Sequence, residues 1–109
     1  MSETFKLYTM AHARSGDKGS MANIGVIAYN EADFRFLEKF LTEEKVADYF
    51  KSLHPKSVRR YLLPNLFAFN FLLEGVLGEG GSLSLRCDAQ GKSLGQALLE
   101  MEFSREKRS

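Results

Sequence analysis

Between two apolar runs the chain carries His12-Ala-Arg14-Ser15-Gly16-Asp17-Lys18-Gly19-Ser20-Met-Ala-Asn23. Little in that stretch is needed to build a core. Its residue types suit an anion. Arg14 can grip a carboxylate or phosphate through two parallel donors, and Lys18 can add a point charge. Consecutive backbone N–H groups in a glycine-bearing loop can form a concave anion nest. Ser15, Gly16, Gly19 and Asn23 therefore join Arg14 and Lys18 as ligand-binding candidates. Asp17 is a candidate general base, and His12 can titrate near neutrality. The competing reading is a solvated turn in which Asp17 pairs with Arg14 or Lys18 and His12 makes a structural hydrogen bond. A P-loop is excluded, because it needs two glycines five apart followed by Lys-Ser/Thr.

Further candidates lie downstream. Arg59 and Arg60 fall on opposite faces of one strand, so at most one faces the helices. Tyr61 shares the face of Arg59. Arg60 is taken as the one that lines a pocket; the alternative is an edge-strand charge that blocks aggregation. Asn70 interrupts an aromatic run, and a buried amide needs partners. It is either a ligand contact or a clamp on a neighbouring segment, with Glu74 extending the polar strip. The glycines at 75, 78, 80 and 81 follow a predicted helix instead of preceding one, the wrong context for a dinucleotide fingerprint. Cys87 alternates with Leu83 and Leu85 and reads as a small buried hydrophobe.

Composition narrows the class. At 109 residues, the chain suits one domain, 1–109, with one modest core. A net charge of +1 supplies no global field for nucleic acid or an acidic membrane. One cysteine excludes an internal disulfide and cysteine-rich zinc sites. His12 and His54 show no metal-ligand spacing, so no metal is expected, and the residues call for no cofactor. No apolar run approaches the roughly 20 residues that span a bilayer. The first residues lack a basic segment followed by an apolar one. A cytoplasmic location is the expectation.

The elements that must position these groups can be read coarsely. Residues 4–11 and 22–29 alternate or are β-branched and read as strands, with the polar stretch as the loop between them. Gly25 inside the second run suggests a bulge or a close backbone approach. Asn30 and Thr42 are helix N-caps, so 31–53 predicts two short helices broken at Leu41-Thr42. Residues 56–63 read as a strand closed by Pro64. Leu66, Phe69, Leu73, Val76 and Leu77 lie at helical spacing and predict a helix over 66–77. A strand over 83–88 and a turn at Asp88–Gly91 follow. Residues 93–103 suit helix or strand; the turn before them favours a strand. The order ββαβαββ predicts an α+β sandwich: a mainly antiparallel sheet of four to five strands with helices on one face.

Four segments together resemble a known family: Ala13-Arg-Ser-Gly-Asp-Lys-Gly19 with Ala22-Asn23-Ile24-Gly25; Arg60-Tyr61 with Pro64-Asn65; Asn70-Phe71 with Leu73-Glu74-Gly75; and Ser84-Leu85-Arg86 with Asp88 and Gly91-Lys92. This pattern is similar to the small domain of the AtuA-like (acyclic terpene utilisation) family, in its stand-alone form. Ser20 departs from it where an acidic residue is common. The resemblance implies a ferredoxin-like fold and a partner, a separate large AtuA-like protein. It implies a setting in acyl-CoA catabolism of terpenes or branched acids. No catalytic residues come with it. The expected role is an accessory subunit that docks on the large protein and places the polar Arg14–Asn23 loop at a shared site, with Arg60 and Asn70 as further ligand-binding candidates. One rival is a small enzyme acting alone on a CoA thioester with Asp17 or His12 as base. Another is a homo-oligomer that binds a carboxylate or phosphate, pairing through an exposed sheet face with Phe5, Leu7, Leu83 and Leu85.

Overall fold

Phe69, Phe71 and Leu73 alternate along the chain, and each is completely buried. Period two with inward-facing aromatics makes a strand. The computed structural model describes residues 2–18, 21–75 and 93–106, with Ser2, Asp17, Lys18, Arg105 and Glu106 described in backbone only. Its elements in chain order are β1 (Ser2–Lys6), β2 (Ala11–Lys18), β3 (Met21–Ala28), α1 (Glu31–Phe40), α2 (Glu43–Tyr49), β4 (Ser57–Leu63), β5 (Ala68–Glu74), α3 (Leu94–Leu98) and β6 (Glu102–Glu106). The four-stranded sheet has the order β2-β3-β5-β4, and β1 pairs with β6 in a second sheet. Every pairing is antiparallel. The α+β class, the antiparallel sheet and the helices on one face are as the sequence predicts.

Several expectations are overturned. Residues 68–74 form a central strand and not a helix. Phe69 and Leu73 fit both periods; Phe71 fits only period two, and hydrogen bonding on both sides decides the outcome. The first predicted strand is split. A 3-10 turn at Leu7–Thr9 moves the chain from the small sheet to the large one. Leu7 N–H donates to Met101 O and Tyr8 N–H to Leu99 O across that turn. Leu7 is buried in the core, and Phe5 packs on Phe36 and Phe103, so these two supply no exposed face for pairing copies of the chain. Residues 93–103 are neither all strand nor all helix. Ser93 and Gln96 form a reciprocal capping box that starts α3, and β6 begins at Glu102. That Ser-x-x-Gln spacing is visible in the sequence. The predicted strand at 83–88, its turn and Cys87 lie outside the described residues.

The helix starts are as expected. Asn30 Oδ1 accepts from Asp33 N–H at 2.8 Å, and Thr42 Oγ1 accepts from Lys45 N–H at 3.1 Å. The break at Leu41-Thr42 is held by Arg60. Its guanidinium donates to Glu38 O and Leu41 O at 2.9 and 2.7 Å. These are carbonyls that the end of α1 leaves without a helical partner. The same guanidinium lies 5.6 Å from the Phe69 ring centre. Arg60 thus ties α1 to the sheet.

Tyr49 ties α2 to α3 by donating its hydroxyl to Ala97 O. Burial, and then the nearby Glu100 carboxylate, holds its phenol pKa above the ordinary value. The neutral form is therefore favoured by folding. Its contribution is intact below the ordinary tyrosine range near 10 and is lost as the pH climbs through the raised folded-state value. Tyr49→Phe should cost about 1 kcal/mol at neutral pH and flatten the alkaline fall in stability, measured by urea unfolding from pH 7 to 11. An unchanged alkaline limb would assign that fall to another group.

Phe67 adopts φ +53, in the left-handed region, at the turn into β5. Its ring packs against Phe34 at 6.1 Å between centroids, and its carbonyl accepts from Ala28 N–H. Packing therefore offsets a backbone conformation that side chains disfavour. Phe67→Ala and Phe67→Gly both lose the ring, but only glycine relieves the strain. The glycine variant should be the more stable of the two by roughly 0.5–1 kcal/mol. The reverse order in denaturant midpoints would show that the turn is unstrained.

Candidate functional site

One face of the large sheet is covered by helices; the other, called the open face, is left uncovered by the described residues. On the covered face lie Ala22, Ile24, Val26, Phe69, Phe71 and Leu73, all buried. Alternation puts the intervening residues on the open face. The register then sets them in rows across the four strands: His12, Ile27, Ala68, Leu63; next Arg14, Gly25, Asn70, Tyr61; next Gly16, Asn23, Leu72, Arg59; and last, Met21, Glu74, Ser57 beyond Lys18.

The polar stretch that reads as a loop is mostly strand. Residues 11–18 run in continuous register with 21–28. The backbone is therefore a ladder and not a concave nest across Arg14–Lys18. Gly19 and Ser20 lie outside the described residues, as do the side chains of Asp17 and Lys18. Arg14 is exposed on the open face. Ser15 belongs to the other face, where Gly95 of α3 presses on it. A Cβ on Gly95 would come within 3.2 Å of Arg14 C and Ser15 N. His12 is exposed and stacks on Tyr29 at 5.9 Å between ring centres.

Asn23 and Asn70 meet. Asn23 Nδ2 donates to Asn70 Oδ1 at 3.3 Å, a diagonal contact between β3 and β5. Gly16 makes room for it, because a Cβ there would sit 3.1 Å from Asn23 Oδ1. Asn70 is thus a clamp on the neighbouring strand, one of the two roles its setting in the sequence allows. Arg60 is engaged with the helix end on the covered face, while Arg59 is exposed on the open one. Arg59 is the cation that choosing Arg60 overlooked. Alternation alone cannot say which of the two faces the helices until β5 is known to be a strand. Among the described residues, neither the Arg14 nor the Arg59 side chain has a hydrogen bond or ion pair, and no His, Cys, Asp and Glu group has a metal-binding arrangement.

Gly25 stands in the middle of this face. The register through it is unbroken, so it is not a bulge. Nor does any part of the described chain press on it, since the nearest atom to a Cβ built there is Arg14 O at 4.0 Å. A glycine inside a strand weakens it. Gly25→Val should fold normally and gain roughly 0.5–1 kcal/mol in denaturant unfolding. A clear loss would mean that the strand itself requires the glycine.

Comparison with known proteins points one way. A family model described as AtuA ferredoxin-like domain matches residues 5–104. No curated protein and no solved structure matches the chain. No helix among the described residues is long and apolar enough to cross a membrane. The matched span takes in the Arg14–Asn23 segment, the Asn23–Asn70 clamp and the whole four-stranded sheet, and the chain belongs to the AtuA ferredoxin-like domain family.

Proposed function

We propose that this chain is an accessory module that docks on a large AtuA-like protein and brings the open face of its sheet to a shared site in acyl-CoA catabolism. The observation that carries the reading is Gly25. It leaves bare backbone at the centre of a face rimmed by Arg14, Asn23, Asn70 and Tyr61, with no neighbour among the described residues to explain it. A strand glycine of this kind suits close approach by something outside the chain. Arg14 beside it, whose guanidinium has no partner among the described residues, suits an anionic group, such as a thioester ligand's phosphates or a partner's carboxylates.

The surrounding surface supports docking. Ile27, Tyr29, Tyr61 and Leu63 are exposed toward one end of this region, and Leu66 beside them is 64% exposed. Large apolar side chains gathered on one side of a small protein mark an interaction surface. Among the described side chains of this face, the possible bases His12 and Glu74 stand at its opposite ends, and binding and positioning are the roles assigned to the residues between them.

The test is co-expression with a large AtuA-like protein. The two should co-elute on size exclusion. Gly25→Trp should abolish co-elution while the isolated variant keeps its folded spectrum. Arg14→Ala should weaken the complex about tenfold, as expected for loss of a charge-assisted contact. Separate elution of the wild-type pair, with neither protein altering the other's melting temperature, would overturn the reading.

A further inference from the structure

At the β4 side of the open face is a shallow cleft of about 230 Å³, lined by Met21, Ser57, Arg59, Tyr61, Leu72 and Glu74. Only Met21 comes from the signature hairpin. Its volume is below the range of about 300–1,000 Å³ typical of whole drug-sized ligands. It therefore suits one ring system with a group projecting from the rim. We propose that this cleft binds a purine nucleoside monophosphate whose base carries an exocyclic amine.

The chemistry is laid out along the strands. Ser57 and Glu74 face each other at one end, and Ser57 Oγ donates to Glu74 Oε1 at 3.2 Å. That bond engages one carboxylate oxygen, and Oε2 keeps its acceptor capacity at a residue that lines the cleft. That acceptor matches an amine at the edge of a base. Leu72 and Met21 form an apolar floor for the ring faces. Arg59 stands opposite Leu72. It has no ion-pair partner among the described residues, so its charge is available to a phosphate. Tyr61, next along the same face and 46% exposed, adds a hydroxyl donor on the phosphate side. The distance from Glu74 to Asn70, the residue opposite Tyr61, is four strand residues, about 14 Å of rise. An elongated ligand with a donor at one end and an anion at the other fits that polarity. A bare anion would leave the apolar floor and Glu74 unused. A neutral ring would leave Arg59 unused.

The cleft is formed by this chain alone, so the isolated chain is the sample and success or failure of docking does not bear on the result. Backbone amide shifts are followed by NMR during titration with AMP, with adenosine, IMP and inorganic phosphate as comparisons. AMP should shift amides at 57–61 and 72–74. IMP, lacking the amine, should bind several-fold more weakly, and adenosine and phosphate at least about tenfold more weakly. Arg59→Ala should weaken AMP about tenfold, Tyr61→Phe a few-fold, and Lys51→Ala on the helix side not at all. Each variant's amide spectrum reports folding in the same experiment. Absence of shifts at millimolar AMP, phosphate binding as tightly as AMP, equal binding of IMP, or an Arg59→Ala variant with unchanged affinity would each overturn the proposal.

Discussion

The arrangement depends on one strand being hydrogen-bonded on both sides. β5 lies between β3 and β4 and sends Phe69, Phe71 and Leu73 into the core. Phe34 of α1 stacks on Phe69 at 4.9 Å, and the Arg60 guanidinium covers the other ring contact while capping the end of α1. Burying three large apolar side chains from one strand supplies several kcal/mol. It also fixes which side of the sheet the helices occupy. Once that side is chosen, the opposite side must carry Asn70, Leu72 and Glu74. The candidate site is the outward consequence of the inward packing.

The same constraint sorts the charged residues into two jobs. Arg59 and Arg60 are adjacent in sequence and opposite in role. Arg60 faces inward and satisfies carbonyls that the break between α1 and α2 exposes. Arg59 faces outward among Leu72, Tyr61 and Glu74. Along β2, alternation likewise turns Arg14 outward and Ser15 toward α3, where Gly95 permits close contact. The paired strands thus hold Arg14, Arg59 and Arg60 at fixed places in the sheet. The bare backbone at Gly25 and the Asn23–Asn70 bond belong to the same sheet.

Much of the site was legible in the sequence, and its geometry was not. The density of Arg14, Gly16, Lys18 and Asn23 marked the hairpin, and Asn70 stood out as an amide among aromatics. Their meeting could not be read, because 47 residues separate Asn23 from Asn70 and the contact depends on β5 pairing with β3. Reading residues 66–77 as a helix hid that pairing. Phe69 and Leu73 are four apart, a spacing that a helical stripe and a strand share; Phe71 between them breaks the tie only when both neighbouring strands are in view. The polar hairpin misled for a related reason. An open sheet face needs no apolar alternation, so His12-Ala13-Arg14-Ser15-Gly16 looks like a loop until its partner strand is placed opposite.

Local chemistry alone determined the helix starts at Asn30 and Thr42 and the end of β4 at Pro64. In each case a side chain or ring acts within four residues of its own backbone. Sequence also determined the family, since the Ala13–Gly25 and Asn70–Gly75 motifs persist whichever element carries them. Only the tertiary structure decided that 68–74 is a strand, that α3 interrupts the last segment, and that Arg59 rather than Arg60 faces outward. Those outcomes depend on hydrogen bonds and buried contacts between residues distant in the chain, and no local preference is strong enough to override them. The polar stretch from His12 to Asn23 shows both parts. Its residue types were set by the sequence, but it became one edge of the open sheet face only when β5 placed Asn70 beside it.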